Sequence, residues 1–155
     1  MIWKHACKLA IGVCIALSAV PVAAQSPAPP EAVFDHIALQ VADLNASVDF
    51  YRDVFGFTEV PAPFPIARWM GMGGGLSLHL VSGRTEPLSQ PKWIHFAVAC
   101  ADMDKMIANL NARNIPWSDI QDRHAPQVRP DGVKQIFVRD PDGYWIEIND
   151  ALKPR

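Results

Sequence analysis

Cysteine is scarce in this chain: three in 155 residues, of which Cys7 and Cys14 fall in the first stretch and only Cys100 lies beyond it. One remaining cysteine cannot close an internal disulfide, and its place on the apolar side of an alternating run marks it as core rather than nucleophile. Basic excess is absent too. With 14 Lys and Arg against 16 Asp and Glu, the net charge of -2 lacks the footprint of nucleic-acid binding. The glycine-rich Gly71 to Gly75 is followed by no Lys-Ser/Thr pair, which excludes a phosphate loop and leaves a hairpin turn. The one long apolar run is Leu9 to Val20. It follows Lys4 and Lys8 and precedes Val22-Ala23-Ala24, the pattern of a secretory signal peptide over 1–24 cut after Ala24. Cys14 lacks the leucine that would open a lipid-attachment pattern, since Ile11-Gly12-Val13 precedes it. The expectation is a periplasmic or secreted protein whose mature charge falls from -2 to -4 with the loss of Lys4 and Lys8, and which keeps no stable membrane insertion.

Half of the residues are apolar, enough for one compact domain. The proline-laden 25–32 reads as an extended linker, 33–150 as the domain and 151–155 as a tail.

An internal repeat organises that domain. Phe34-Asp35-His36-Ile37-Ala38-Leu39-Gln40-Val41 slides onto Trp93-Ile94-His95-Phe96-Ala97-Val98-Ala99-Cys100, pairing His36 with His95, and the match continues through Asp43 with Asp102 and Val48 with Ile107. Each copy reads as strand, helix, then three strands. In module one (33–82), Leu44, Val48, Tyr51 and Phe55 recur at helical spacing before Gly56, and strand pieces follow at Phe57 to Val60, Ile66 to Met70 and Leu76 to Val81. In module two (93–150), Met103, Ile107 and Leu110 mark the helix. Its strand pieces lie near Pro116 to Asp119, Val133 to Val138 and Tyr144 to Asn149, the last behind the turn Asp140-Pro141-Asp142-Gly143. Residues 83–92 link the two.

Strand alternation gives four strands one ligand-type side chain each: His36, His79, His95 and Glu147. His79 and Glu147 correspond, each four positions after a glycine, Gly75 and Gly143. If both modules curl their sheets around a shared cavity, these side chains converge on it. Imidazoles and a carboxylate in a partly enclosed site suit a divalent cation, and the carboxylate charge would be costly there without one. Trp69, Trp93, Phe137 and Trp145 are candidates to line the cavity. Arg68 and Arg139 read as solvated surface, with binding of a substrate carboxylate as the alternative, and His124 reads as exposed in its loop, with reach to substrate as the alternative.

Asp35-His36-Ile37, Asp49-Phe50-Tyr51-Arg52 and Phe55-Gly56-Phe57, then His95, then Asp140-Pro141-Asp142-Gly143-Tyr144-Trp145-Ile146-Glu147, resemble in order the vicinal oxygen chelate superfamily. That group holds glyoxalase I, extradiol dioxygenases, fosfomycin thiol transferases and bleomycin-resistance proteins. The resemblance implies an α+β fold of paired βαβββ modules, a U-shaped mixed sheet around a metal-binding cavity with helices outside. It implies metal ligation by His36, His95 and Glu147, and His79 falls where many glyoxalases carry a glutamate. Two arrangements stay open. His79 is a fourth ligand around nickel, zinc, cobalt or manganese with Glu147 as proton shuttle, or His79 stands beside a two-histidine, one-carboxylate ferrous site as acid-base group. Ala67-Arg68-Trp69 is similar to a stretch in the fosfomycin enzymes, but Ala38 and Phe137 replace their threonine and tyrosine. The resemblance thus implies a glyoxalase-like lyase or isomerase acting on a small oxygenated substrate, the alternatives being an extradiol-type dioxygenase and a non-catalytic small-ligand binder. It also allows a homodimer with exchanged modules.

Overall fold

The computed structural model describes residues 30–86 and 88–152. The expected signal peptide, most of the linker and the end of the tail lie outside the described residues. Module one runs β1 (His36–Val41), α1 (Leu44–Phe55), β2 (Thr58–Val60), β3 (Ala67–Gly73), β4 (Leu76–Ser82). Module two runs β5 (His95–Ala99), α2 (Met103–Ala112), β6 (Trp117–Ser118), β7 (Gln127–Val128), β8 (Lys134–Arg139), β9 (Trp145–Asn149). The sheets are ordered β1-β4-β3-β2 and β5-β9-β8-β6, with β7 added onto β8. In each, the first strand pairs parallel with the last while the other pairings are antiparallel. The βαβββ module therefore occurs twice, and the second copy carries one extra short strand.

Local chemistry sets the elements. The Asp43 carboxylate accepts from the backbone N–H of Asn45 and Ala46 at 2.8 and 3.1 Å, capping α1, and Gly56 ends it at φ 71°, a conformation that suits glycine. Asp102 caps α2 through the N–H of Lys105 at 3.0 Å. Two strands start later than the alternation suggests: β1 opens at His36 rather than Phe34, and β5 at His95 rather than Trp93. At β5 the reason is a turn, in which the N–H of Ile94 donates to the carbonyl of Pro91 at 2.9 Å and leaves Trp93 exposed.

Both modules bury their apolar faces in one cluster. Leu39, Val41, Val48, Tyr51, Leu78 and Leu80 from module one join Leu110, Ile136, Val138, Ile146 and Ile148 from module two. The opposite sheet faces carry the histidines. The turn before β9 clasps the modules: Asp142 accepts from the N–H of Ala42 at 2.7 Å and from the Ser47 hydroxyl at 3.2 Å, and Asp140 accepts from the Tyr51 hydroxyl at 2.7 Å. Burial and the facing Asp140 push the Tyr51 phenol well above its ordinary range, and burial raises the Asp140 carboxyl as well. Among the described residues no helix is long and apolar enough to cross a membrane.

Candidate functional site

On module one, cross-strand register brings His36 of β1 beside Ser77 of β4, and Ala38 beside His79. The His36 and His79 rings stack 4.1 Å apart, and the Trp69 indole stacks on the other side of His79 at 3.9 Å. The Nε2 of His79 meets the Ser77 hydroxyl at 2.9 Å. Burial, followed by the neighbouring His36, lowers the His79 pKa, so its ring is neutral at ordinary pH. The Nδ1 of His36 lies 2.6 Å from the Asp35 carboxylate. A carboxylate only accepts, so the proton sits on Nδ1 and the Nε2 lone pair is left for a ligand role.

On module two, β5 and β9 pair His95 with Trp145 and Ala97 with Glu147. The Nε2 of His95 lies 3.4 Å from Oε2 of Glu147. The Nδ1 of His95 donates to the carbonyl of Lys92 at 2.7 Å, which again commits the proton to Nδ1 and leaves Nε2 toward the carboxylate. Glu147 is held by Asn149, whose amide donates to Oε1 at 2.8 Å, and by the Arg129 guanidinium at 3.6 Å. A half-buried imidazole beside a buried carboxylate forms a nitrogen and oxygen donor set, and nickel, zinc, cobalt, manganese and ferrous iron all accept such donors.

Thus the four sequence-flagged residues meet two by two, His36 with His79 and His95 with Glu147. Within one chain the pairs stay on separate sheets: among the described residues there is no group of three or more His, Cys, Asp or Glu able to hold a metal. Trp69 packs on His79, Phe137 meets His95 edge-on with centroids 5.2 Å apart, and Trp145 lies in register with His95. Trp93 stands apart from them, 77% exposed. Arg68 is held by Glu59 through two hydrogen bonds, and by Asn45 at 2.7 Å. Arg139 lies over the Trp145 ring at 4.3 Å. His124 is exposed, with its Nδ1 3.1 Å from the carbonyl of Trp117.

Sequence reasoning missed Asp35, Lys92, Arg129 and Asn149 as supports of these side chains. Asn149 had a signal, since it follows Glu147 by two positions and so shares its face. The Lys92 carbonyl had none, because it acts through backbone.

The sequence model of the family described as "Glyoxalase/Bleomycin resistance protein/Dioxygenase superfamily" matches residues 33–148. A lactoylglutathione lyase from Arabidopsis thaliana is 27% identical over 74% of this chain, which spans 43% of that relative's length. A lactoylglutathione lyase from Pseudomonas putida is 28% identical over 79% of this chain and 87% of its own. An uncharacterized Escherichia coli protein is 31% identical over 73% of this chain and 92% of its own. Among solved structures, a lactoylglutathione lyase from Agrobacterium tumefaciens superposes with a TM-score of 0.60 at 24% identity, covering 79% of this chain and 96% of that one. A fosfomycin resistance protein from Listeria monocytogenes gives 0.59 at 19% identity, covering 77% and 93%. At these identities the structures speak for the fold alone.

Proposed function

The chain belongs to the glyoxalase/bleomycin resistance protein/dioxygenase superfamily, and from that premise we propose that it is an exported, metal-dependent, glyoxalase-like lyase or isomerase. Its substrate is a small oxygenated molecule, and it works as a homodimer. The observation that carries this reading is the matched tautomer of His36 and His95. Each Nδ1 is committed to an oxygen acceptor, Asp35 or the Lys92 carbonyl, so each Nε2 is free to bind a cation.

His36, His95 and Glu147 would hold the ion, which when bound supplies Lewis acidity toward a substrate carbonyl or enediolate oxygen. Glu147 is the base that takes and returns a substrate proton, and Asn149 keeps its carboxylate aimed. Two chains complete the site: module one of one protomer supplies His36 and His79, module two of the other supplies His95 and Glu147. An isologous two-fold pairing makes two such sites at once.

A second reading, a ferrous extradiol-type dioxygenase, is favoured by one contact. The Ser77 hydroxyl engages Nε2 of His79, which leaves a two-histidine, one-carboxylate set with His79 beside it as acid-base group. Metal analysis of the purified protein, with turnover assays on 2-oxoaldehyde hemithioacetals and on catechol under air, decides. Bound nickel, zinc, cobalt or manganese with isomerisation supports the lyase. Bound iron with ring cleavage replaces it by the dioxygenase, and a protein that takes up no divalent metal contradicts both.

A further inference from the structure

Next to Glu147 the open face of module two holds a cleft of 380 Å³, lined by Pro116, Trp117, Phe137, Arg139 and Trp145 with Asp122 at its rim. That size falls in the range of about 300–1,000 Å³ typical of small-molecule sites. Its walls are aromatic, and its charges do not cancel. The Lys92 ammonium lies 4.7 Å over the Trp145 ring, but it is neutralised by Asp122 at 2.5 Å and further bound by the Ser118 hydroxyl at 2.9 Å and the Asp119 carbonyl at 2.8 Å. The Arg139 guanidinium lies over the same indole, 4.3 Å from its centroid, and no carboxylate pairs with it among the described residues. A guanidinium fork fits a carboxylate in two parallel hydrogen bonds.

Module one arranges the same face differently. There Trp69, His79 and His36 stack on one another. In module two Glu147 stands where module one has His79, and His95 and Phe137 meet edge to face.

We propose that this cleft is a subsite for a planar aromatic or other flat apolar group bearing a carboxylate or similar anion, with Arg139 receiving the anion. Among the cleft residues Trp145 is the register partner of His95 and Phe137 that of Glu147, so the flat group occupies space beside that pair. Taken with the proposed function, on which this clause alone rests, the substrate class is a molecule with neighbouring oxygens at one end, a flat body, and an anionic group at the other.

The test uses chelator-treated full-length protein, so it does not depend on a metal. Benzoate, benzyl alcohol and acetate are titrated while the indole N–H resonances of Trp117 and Trp145 are followed by NMR. Benzoate is expected to shift both saturably, with benzyl alcohol and acetate binding at least about tenfold more weakly, and Arg139→Gln is expected to weaken benzoate about tenfold while leaving benzyl alcohol unchanged. Equal binding of benzoate and benzyl alcohol, an unchanged benzoate affinity in Arg139→Gln, or no saturable shift overturns the proposal. Should Arg139→Gln not fold, the comparison of the three probes on the unaltered chain decides. Failure of the metal site would leave these titrations intact, so the two readings fail separately.

Discussion

The two modules share an element order yet treat their ligand-bearing faces differently. In module one the His36 side chain is 42% exposed, and Ala38 and Gln40 beside it are open. In module two the Glu147 side chain is 10% exposed, and Phe137 and Asn149 on the same face are buried. The difference comes from the connections. Module one crosses from β2 to β3 by a short proline-rich turn, whereas module two inserts β7 and its hairpin, which bring Arg129 and Gln127 over the sheet. The lesson is a division of labour: one copy offers imidazoles on an open surface, the other a carboxylate already held by donors.

The largest effects should come from the ligand pairs. His36→Ala, His95→Ala and Glu147→Gln should each lower affinity for divalent metal by at least about a hundredfold, measured by isothermal titration, and His79→Gln by about tenfold or less. Equal losses for all four would erase the distinction between His79 and the rest. Next is the clasp. Asp142→Ala removes the acceptor for Ala42 N–H and the Ser47 hydroxyl and should cost about 3 kcal/mol in urea unfolding, because a buried charged acceptor is lost between the modules.

Tyr51→Phe should cost about 1–2 kcal/mol and also change the pH profile. The Tyr51 phenol is raised in the fold by burial and by Asp140, so its contribution is complete below the ordinary tyrosine pKa of about 10. Above that pH the unfolded phenol ionises first, so stability falls as pH rises through the raised folded value. Tyr51→Phe should flatten that alkaline decline; an unchanged slope in urea midpoints between neutral and alkaline pH would contradict it. The smallest contrast is at the helix starts. Asp43 accepts from two backbone N–H groups and Asp102 from one, so Asp43→Ala should cost about 1 kcal/mol and Asp102→Ala less, by thermal unfolding.

Much of this architecture is legible in the amino acids because its signals are local. Asp43, the Leu44 to Phe55 spacing and Gly56 bound α1 within a residue, and the alternation on Leu76 to Val81 places His79 opposite Leu78 and Leu80. What escaped was set by contacts distant in sequence or made by backbone. β7 is two residues long and exists because the N–H of Arg129 donates to the carbonyl of Val133 at 2.8 Å around Gly132, a closure that no side-chain pattern announces. Asp140 and Asp142 read as turn formers; that they also grip Ser47 and Tyr51 of the other module depends on packing across 95 and 89 residues of chain. The repeat puts His36, His79, His95 and Glu147 on four strands, which are β1, β4, β5 and β9. It carries no information on whether the four meet inside one chain or between two, because both arrangements place the same residues on the same faces.

Mixing two defective chains tests that point most directly. His36→Ala and Glu147→Gln proteins, each weakened at least about a hundredfold for metal when alone, are unfolded together, refolded, and assayed for bound divalent cation at a concentration that loads only intact sites. If sites form between chains, each mixed dimer regains one intact site, uniting the His36 of one variant with the Glu147 of the other, and metal uptake returns. If no mixing ratio restores any metal, the ligands belong to a single chain and the reciprocal pairing is wrong.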